Sequence, residues 1–303
     1  LVIDAKEKMR IYKIGGIPII DENGNLKGIV TNRDLRFEKN NNRPIEEVMT
    51  SQNIITVNDG ITLKEAEKIL EKNKIEKLPV VSQDNRLVGL ITFRDISKQT
   101  KKPKANKDKY GRLRVSAAVG ITNDVLERVS LLKKSDVDAI VVEGFEAGGH
   151  NGAEEITTMC LIPMIRDIVD IPLIAAGGIA DGRSMLAAIV LGADGVQMGS
   201  RFVASKECSA HINFKNKVIQ ADEGETDLTL KELTAVRLLK NGFYNQIQKA
   251  YADNATHEEL KNLLGRGRAK KGMFEGSLEE GELEIGQVSA MINTIMPVEK
   301  IIK

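Results

Sequence analysis

The stretch from Ile171 to Ser200, IPLIAAGGIADGRSMLAAIVLGADGVQMGS, permits few architectures. Pro172–Ala176 is an unbroken apolar run, the pattern of a strand buried on both faces. Gly177 and Gly178 follow it and let the main chain approach a ligand closely. Ser184–Leu191 is apolar and Ala-rich and predicts a helix, which Gly192 ends. Val196–Met198 is a second strand, and Gly199-Ser200 opens the next turn ahead of Arg201-Phe202. Two successive turns at the carboxyl ends of parallel strands offer bare N–H groups, as a phosphate cradle requires. A pair of Gly-rich turns without a ligand is the plainer alternative.

In (β/α)8 barrels such a cradle follows strands seven and eight. Runs of the same kind at Arg114–Val119 and Asp138–Val142 bring the barrel-type strands to four, in Gly195–Met198 counting the last. A helix is expected at Asp124–Lys134, and Asp227–Lys249 and Thr256–Arg268 read as helical. Four strands do not close a barrel, and an open parallel sheet leaves two edges to be covered. A second chain or flanking helices would cover them, or the chain has lost part of its scaffold.

The N-terminal third repeats. Ile14–Leu35 realigns on Ile75–Ile96 at an offset of 61 residues, matching Pro18 with Pro79, Gly28 with Gly89, Thr31 with Thr92 and Asp34 with Asp95. Each copy reads as strand, turn, strand and a helix starting near the Asp; Asn23-Gly24 is a hairpin signal. Ile54–Val57 is a strand before the helix Leu63–Asn73 of copy two. The counterpart of that strand would precede residue 1, so the first copy is truncated. The runs near Ile3 and Ile17–Ile20 belong to this module as strands. Lys98–Tyr110 is a basic, polar connector.

Composition narrows the function. The 44 basic and 43 acidic residues balance, so no global field calls for nucleic acid, and aromatic content of 4% without Trp provides no stacking platform. No apolar run is long enough to span a membrane, and a signal-peptide pattern is missing. The three histidines lack metal-site spacing, so no metal is expected. Cys160 and Cys208 suit a reducing, cytoplasmic setting; each is placed on a helix, with Cys160 as a buried small hydrophobe.

Glu143-Gly-Phe-Glu-Ala-Gly-Gly-His150, Thr157-Thr-Met, Ala175–Gly182 and Gln197–Phe202 occur in order, followed by Ala204–Cys208, Val236–Lys240, Gly286-Gln287 and Pro297–Ile302. From about residue 138 to 303 the chain resembles FMN-dependent enoyl-acyl-carrier-protein reductases and nitronate monooxygenases. The repeat resembles a tandem cystathionine-β-synthase (CBS) pair, and residues 1 to about 140 resemble bacterial inosine-monophosphate dehydrogenase. That second resemblance stops at Val142, and the dehydrogenase's Gly-Ser-x-Cys-x-Thr segment has no counterpart.

The resemblances imply an α/β chain: a tandem CBS module over 1–100 and a partial (β/α)8 (TIM) barrel with a helical tail over 101–303. They imply FMN as cofactor, NAD(P)H as electron donor and an enoyl thioester, free or on acyl carrier protein, as substrate. His150 takes the catalytic proton-handling role, against the plainer reading of a loop histidine bonded to a carboxylate such as Glu146. Glu143, Gly149, Ala176, Gly177, Gly178, Gln197, Gly199 and Ser200 bind the flavin; Arg201 pairs its phosphate or a rim carboxylate. In the CBS pair Thr31, Asp34, Thr92 and Asp95 face a ribose of an adenine nucleotide, or each Asp caps its helix. A homo-oligomer is expected. The alternatives are an inosine-monophosphate dehydrogenase-like protein of purine nucleotide synthesis without its cysteine loop, and a non-catalytic nucleotide-binding module on an inactive half barrel.

Overall fold

The computed structural model describes residues 1–108, 112–152 and 154–303. It divides into two compact units, Leu1–Lys107 and Asp108–Lys303.

In the first unit the internal repeat is reproduced at the same offset in its first helix and both hairpin strands, while the helix that follows is Asn32–Leu35 in copy one and longer in copy two. Helix Val2–Tyr12 answers helix Leu63–Asn73, and Lys13 and Lys74, both at φ 51°, end them in the left-handed region. The residues around Ile3 are therefore helical, not a strand: Val2, Ala5 and Met9 lie on one buried face. Strands β1 (Gly16–Ile20) and β2 (Leu26–Thr31) form one antiparallel hairpin. After β3 (Val57–Asn58), strands β4 (Lys77–Val81) and β5 (Leu87–Thr92) form the other. Each hairpin carries a register shift at the matching place, Ile19/Ile20 and Val80/Val81. The turns touch reciprocally: Leu26 N–H donates to Asn85 O (3.1 Å) and Leu87 N–H to Gly24 O (3.0 Å). Gly24 and Asn85 both have positive φ, which the tight turns require. The helix after β5 runs Phe93–Lys101, so the first residues of the expected connector are helical. Lys109 and Tyr110, at the end of that connector, lie outside the described residues.

The second unit is built on four parallel strands, β6 (Ser116–Val119), β7 (Ala139–Glu143), β9 (Leu173–Ala176) and β10 (Gly195–Gln197), in the order β10-β9-β7-β6. Each strand lies beside the one before it in the chain. Crossovers that always step the same way give barrel topology, whereas a doubly wound sheet reverses direction. The crossover helices are Val125–Lys134, Thr158–Arg166 and Gly182–Val190. Ile140, Val142, Leu173 and Ala175 of the strands pack with Val129, Leu161, Ile165 and Ala188 of the helices in one buried core. Among the described residues β6 and β10 pair with no further strand.

The expectation of one long helix over Asp227–Lys249 is overturned. The segment holds β11 (Thr226–Thr229), β12 (Val236–Leu239) and only then a helix, Gly242–Ala252. Val236–Leu239 is buried at all four positions, so it lacks the alternation that marks a half-exposed strand. The helix begins at Asn241, whose Oδ1 accepts from Tyr244 N–H (2.9 Å). β11 and β12 complete a three-stranded antiparallel sheet with β8 (Gly149–His150). Cys160 is on a helix but exposed, and Cys208 lies in an irregular segment; both expectations for these thiols are corrected.

Candidate functional site

β7 ends at Glu143 and delivers the chain to the loop that carries Glu146 and His150. This loop abuts the turn after the neighbouring β9: Gly144 N–H donates to Ala176 O (3.0 Å). Gly177 (φ 88°) and Gly178 (φ 71°) occupy the left-handed region that other side chains avoid. A Cβ on Gly177 would stand 2.9 Å from Gly144 O, and one on Gly178 would stand 3.2 Å from Glu146 Oε1. Glu146 does not face His150. Its carboxylate accepts from Thr158 N–H (3.0 Å), at the first turn of helix Thr158–Arg166. The Thr158 hydroxyl lies 3.0 Å from both Glu146 Oε2 and Gly177 O, tying the helix start to the β9 turn.

After β10 the main chain turns at Gly199 (φ −94°), and a Cβ there would meet nothing within 4 Å. Ser200 Oγ accepts from Gly286 N–H (2.9 Å), and Gln287 N–H donates to Glu146 O (3.0 Å). The C-terminal segment thus closes on both loops. The N–H groups of Gly178, Gly199 and Ser200 make no hydrogen bond among the described residues. Because β9 and β10 are adjacent, these donors and the open space at Gly199 belong to neighbouring strand ends, an arrangement that fits an anionic group. Ala176 is buried at the end of β9 and Gln197 is exposed at the end of β10. Arg201 turns away: it is buried and donates through Nη1 to Thr294 O (3.2 Å), so it is committed elsewhere than to a phosphate.

His150 is exposed on β8, where it pairs with Val236, and Gly149 pairs with Arg237. Near it stand two acids that sequence reasoning missed. Glu284 pairs with Leu238 on the same edge of β12, and its Oε2 lies 2.7 Å from where a Gly149 Cβ would be. Burial raises its pKa, opposed by the charge of His150. Glu282, two residues earlier, is pushed up to about 7 by burial and by Glu284, against His150 and Arg268. Burial alone raises the Glu143 carboxyl. Arg237 was also missed. It is 2% exposed, donates through Nε to Phe145 O (3.1 Å), and its guanidinium lies 4.3 Å from the Phe145 ring centroid. The available signal was one charge inside an apolar Val-Arg-Leu-Leu run, a residue type rarely buried without purpose.

Among the four residues expected at the repeat module, each Thr meets its own Asp. Thr31 Oγ1 lies 2.7 Å from Asp34 Oδ2, and Thr92 Oγ1 lies 2.6 Å from Asp95 Oδ2, both as capping boxes. Beside the first pair is a cavity of about 560 Å³ whose lining includes Lys6, Arg10, Lys13, Arg36 and Arg94 and no acid. No metal-ligating cluster and no helix long and apolar enough to cross a membrane occur among the described residues.

The sequence matches the family model for nitronate monooxygenase over residues 36–303 and that for the CBS domain over residues 1–40. It is 46% identical to inosine-5'-monophosphate dehydrogenase of Aquifex aeolicus over 200 residues, and 44% to that of Bacillus subtilis. These matches cover 65% of this chain and 40% of each relative, so the chain spans well under half the length of the dehydrogenases it matches. At 200 residues the similarity is longer than the 142 expected and overlaps the nitronate monooxygenase match. Among solved structures, FabK from Thermotoga maritima is 30% identical at a TM-score of 0.57, over 82% of this chain and 72% of that one. Nitroalkane oxidase from Streptomyces ansochromogenes is 26% identical at 0.51, over 64% and 56%. The chain, a partial (β/α)8 barrel behind an N-terminal CBS module, belongs to the nitronate monooxygenase family.

Proposed function

We propose that the protein is an FMN-dependent oxidoreductase that reduces an enoyl thioester with electrons from NAD(P)H. The observation that carries this reading is the pair of turns after β9 and β10, with N–H groups that have no partner among the described residues and open space at Gly199. Gly177, Gly178, Gly199 and Ser200 would hold the phosphate; Glu143, Gly149, Ala176 and Gln197 would border the rest of the cofactor. FMN, when bound, supplies hydride transfer between nicotinamide and substrate. His150, exposed on its short strand, would give or take the proton that must accompany it. The test is twofold. The purified protein should carry flavin absorbance, and His150→Ala should cut turnover at least about 100-fold while flavin stays bound. Full activity in the folded variant would remove His150 from the chemistry.

The 46% identity to inosine-5'-monophosphate dehydrogenase favours a second reading, in which the barrel handles a purine nucleotide. Against it stands the missing cysteine segment. Oxidation of inosine monophosphate by NAD without flavin would select this reading. The basic cavity of the first unit supports an anionic adenine nucleotide there, held by its Lys and Arg lining; Thr31, Asp34, Thr92 and Asp95 do not line it and are taken up in their capping pairs. Self-association is part of the reading too. Two sheet edges are open among the described residues, and Leu186 and Val190 on helix Gly182–Val190 are 61% and 78% exposed. Sedimentation equilibrium should give at least twice the monomer mass; a monomer at micromolar concentration would refute it.

A further inference from the structure

We infer that Arg237 is the positioning residue of the site, resting on the reading above for the site's identity. One residue grips the catalytic loop at both ends. Its side chain holds the start: Nε donates to Phe145 O (3.1 Å), and the guanidinium lies over the Phe145 ring. Its main chain holds the finish, since Arg237 pairs with Gly149 in the β8·β12 ladder. The residues between include Glu146, and His150 comes next. Asn151 Nδ2 supports the same loop by donating to Phe145 O and Ala147 O (both 3.1 Å).

The environment of Arg237 argues for this role over packing alone. It is among the largest side chains buried completely, yet it forms no ion pair among the described residues. Nη1 donates to Thr226 Oγ1 (3.3 Å), and Nη2 has no hydrogen-bond partner among the described residues. Asp227, Glu146 and Glu155 act on it only through their fields, and burial pulls its pKa down. A buried cation so poorly compensated costs stability that an apolar side chain would not. What an apolar residue lacks is the planar fork that bonds a carbonyl and stacks on a ring together. Lysine lacks it as well.

The test uses the full chain, with Arg237→Lys and Arg237→Met, and reads amide hydrogen exchange. The loop reporters are Phe145 N–H, bonded to Ile156 O, and Gln287 N–H, bonded to Glu146 O; Ile140 N–H, bonded to Pro172 O, is the control across the sheet. Exchange at the loop reporters should rise at least about tenfold with Ile140 unchanged, and lysine should not rescue it. A uniform rise, no rise, or rescue by lysine would overturn the proposal. If neither variant folds, Phe145→Leu removes the stacking ring and keeps an apolar side chain against the core; the same local pattern at smaller amplitude, with Ile140 unchanged, is then expected, and its absence is decisive against the role. FMN is titrated separately into each variant and into Val129→Ala, a destabilised core control. Affinity should fall at least about tenfold at Arg237 and not at Val129. Failure of the parent protein to bind FMN would sink the flavin reading and leave the exchange result to judge Arg237.

Discussion

Gly199→Val should lower FMN affinity at least about 100-fold while leaving the fold intact. The protein and its ligand make different demands on this position. Gly199 has a φ of −94°, which any residue adopts, and its Cβ would point into open space. The folded chain therefore has no steric objection to valine there. A phosphate seated on the N–H groups of Gly199 and Ser200 does, because the branched side chain takes the volume next to those donors. Gly178 is different. Its φ of 71° strains any side chain, and its Cβ would press on the Glu146 carboxylate that holds Thr158. The double variant Gly178→Val, Gly199→Val should lose flavin entirely, with part of that loss coming from the displaced loop. Equilibrium dialysis with FMN and a thermal melt of the single variant make the measurement. An unchanged dissociation constant in folded Gly199→Val would place the phosphate elsewhere.

The parts of this molecule that were legible are those where local pattern and tertiary role agree. Over β9 the apolar run follows burial: Leu173, Ala175 and Ala176 are buried and Ile174 is half-buried, while Pro172 just before the strand is exposed. The repeat is legible because Thr31 with Asp34, and Thr92 with Asp95, cap their helices through contacts three residues apart. Legibility fails where the partner lies far along the chain. Arg237 meets Phe145 across 92 residues, and Ser200 meets Gly286 across 86. Nothing near Arg237 in the sequence indicates that its carbonyl partner opens the turn after β7. The misread helix over Asp227–Lys249 has the same origin. β12 is a central strand between β11 on one edge and β8 on the other, and only that placement explains four buried positions in succession. The direction of Glu146 was equally hidden: proximity in sequence suggested His150, but helix Thr158–Arg166 brings a main-chain N–H to it first.

Glu282→Gln should stabilise the folded chain by up to about 3 kcal/mol at pH 8 and leave it unchanged at pH 4. Glu282 is 6% exposed, and burial together with Glu284 lifts its carboxyl from 4.5 to about 7. At about 1.4 kcal/mol per pH unit, that difference sets the upper bound. Below pH 4.5 the group is protonated in both folded and unfolded chains, and the preference for the neutral form costs nothing. As pH rises from there, the unfolded chain ionises first, and each step favours unfolding until the folded carboxyl also ionises near pH 7. The stability held below pH 4.5 is thus lost as pH climbs through about 7. Glutamine keeps the shape and never ionises, so the variant escapes that loss. Glu143 and Glu284 are raised too and bend the curves of both proteins the same way. Subtracting one curve from the other removes their share, apart from the coupling between Glu282 and Glu284. Urea unfolding of both proteins between pH 4 and 8 gives the difference curve. A flat difference would mean that Glu282 ionises as freely in the folded chain as in the unfolded one. A rise confined between pH 4.5 and 7 would identify a carboxyl near His150 that stays largely protonated below neutrality.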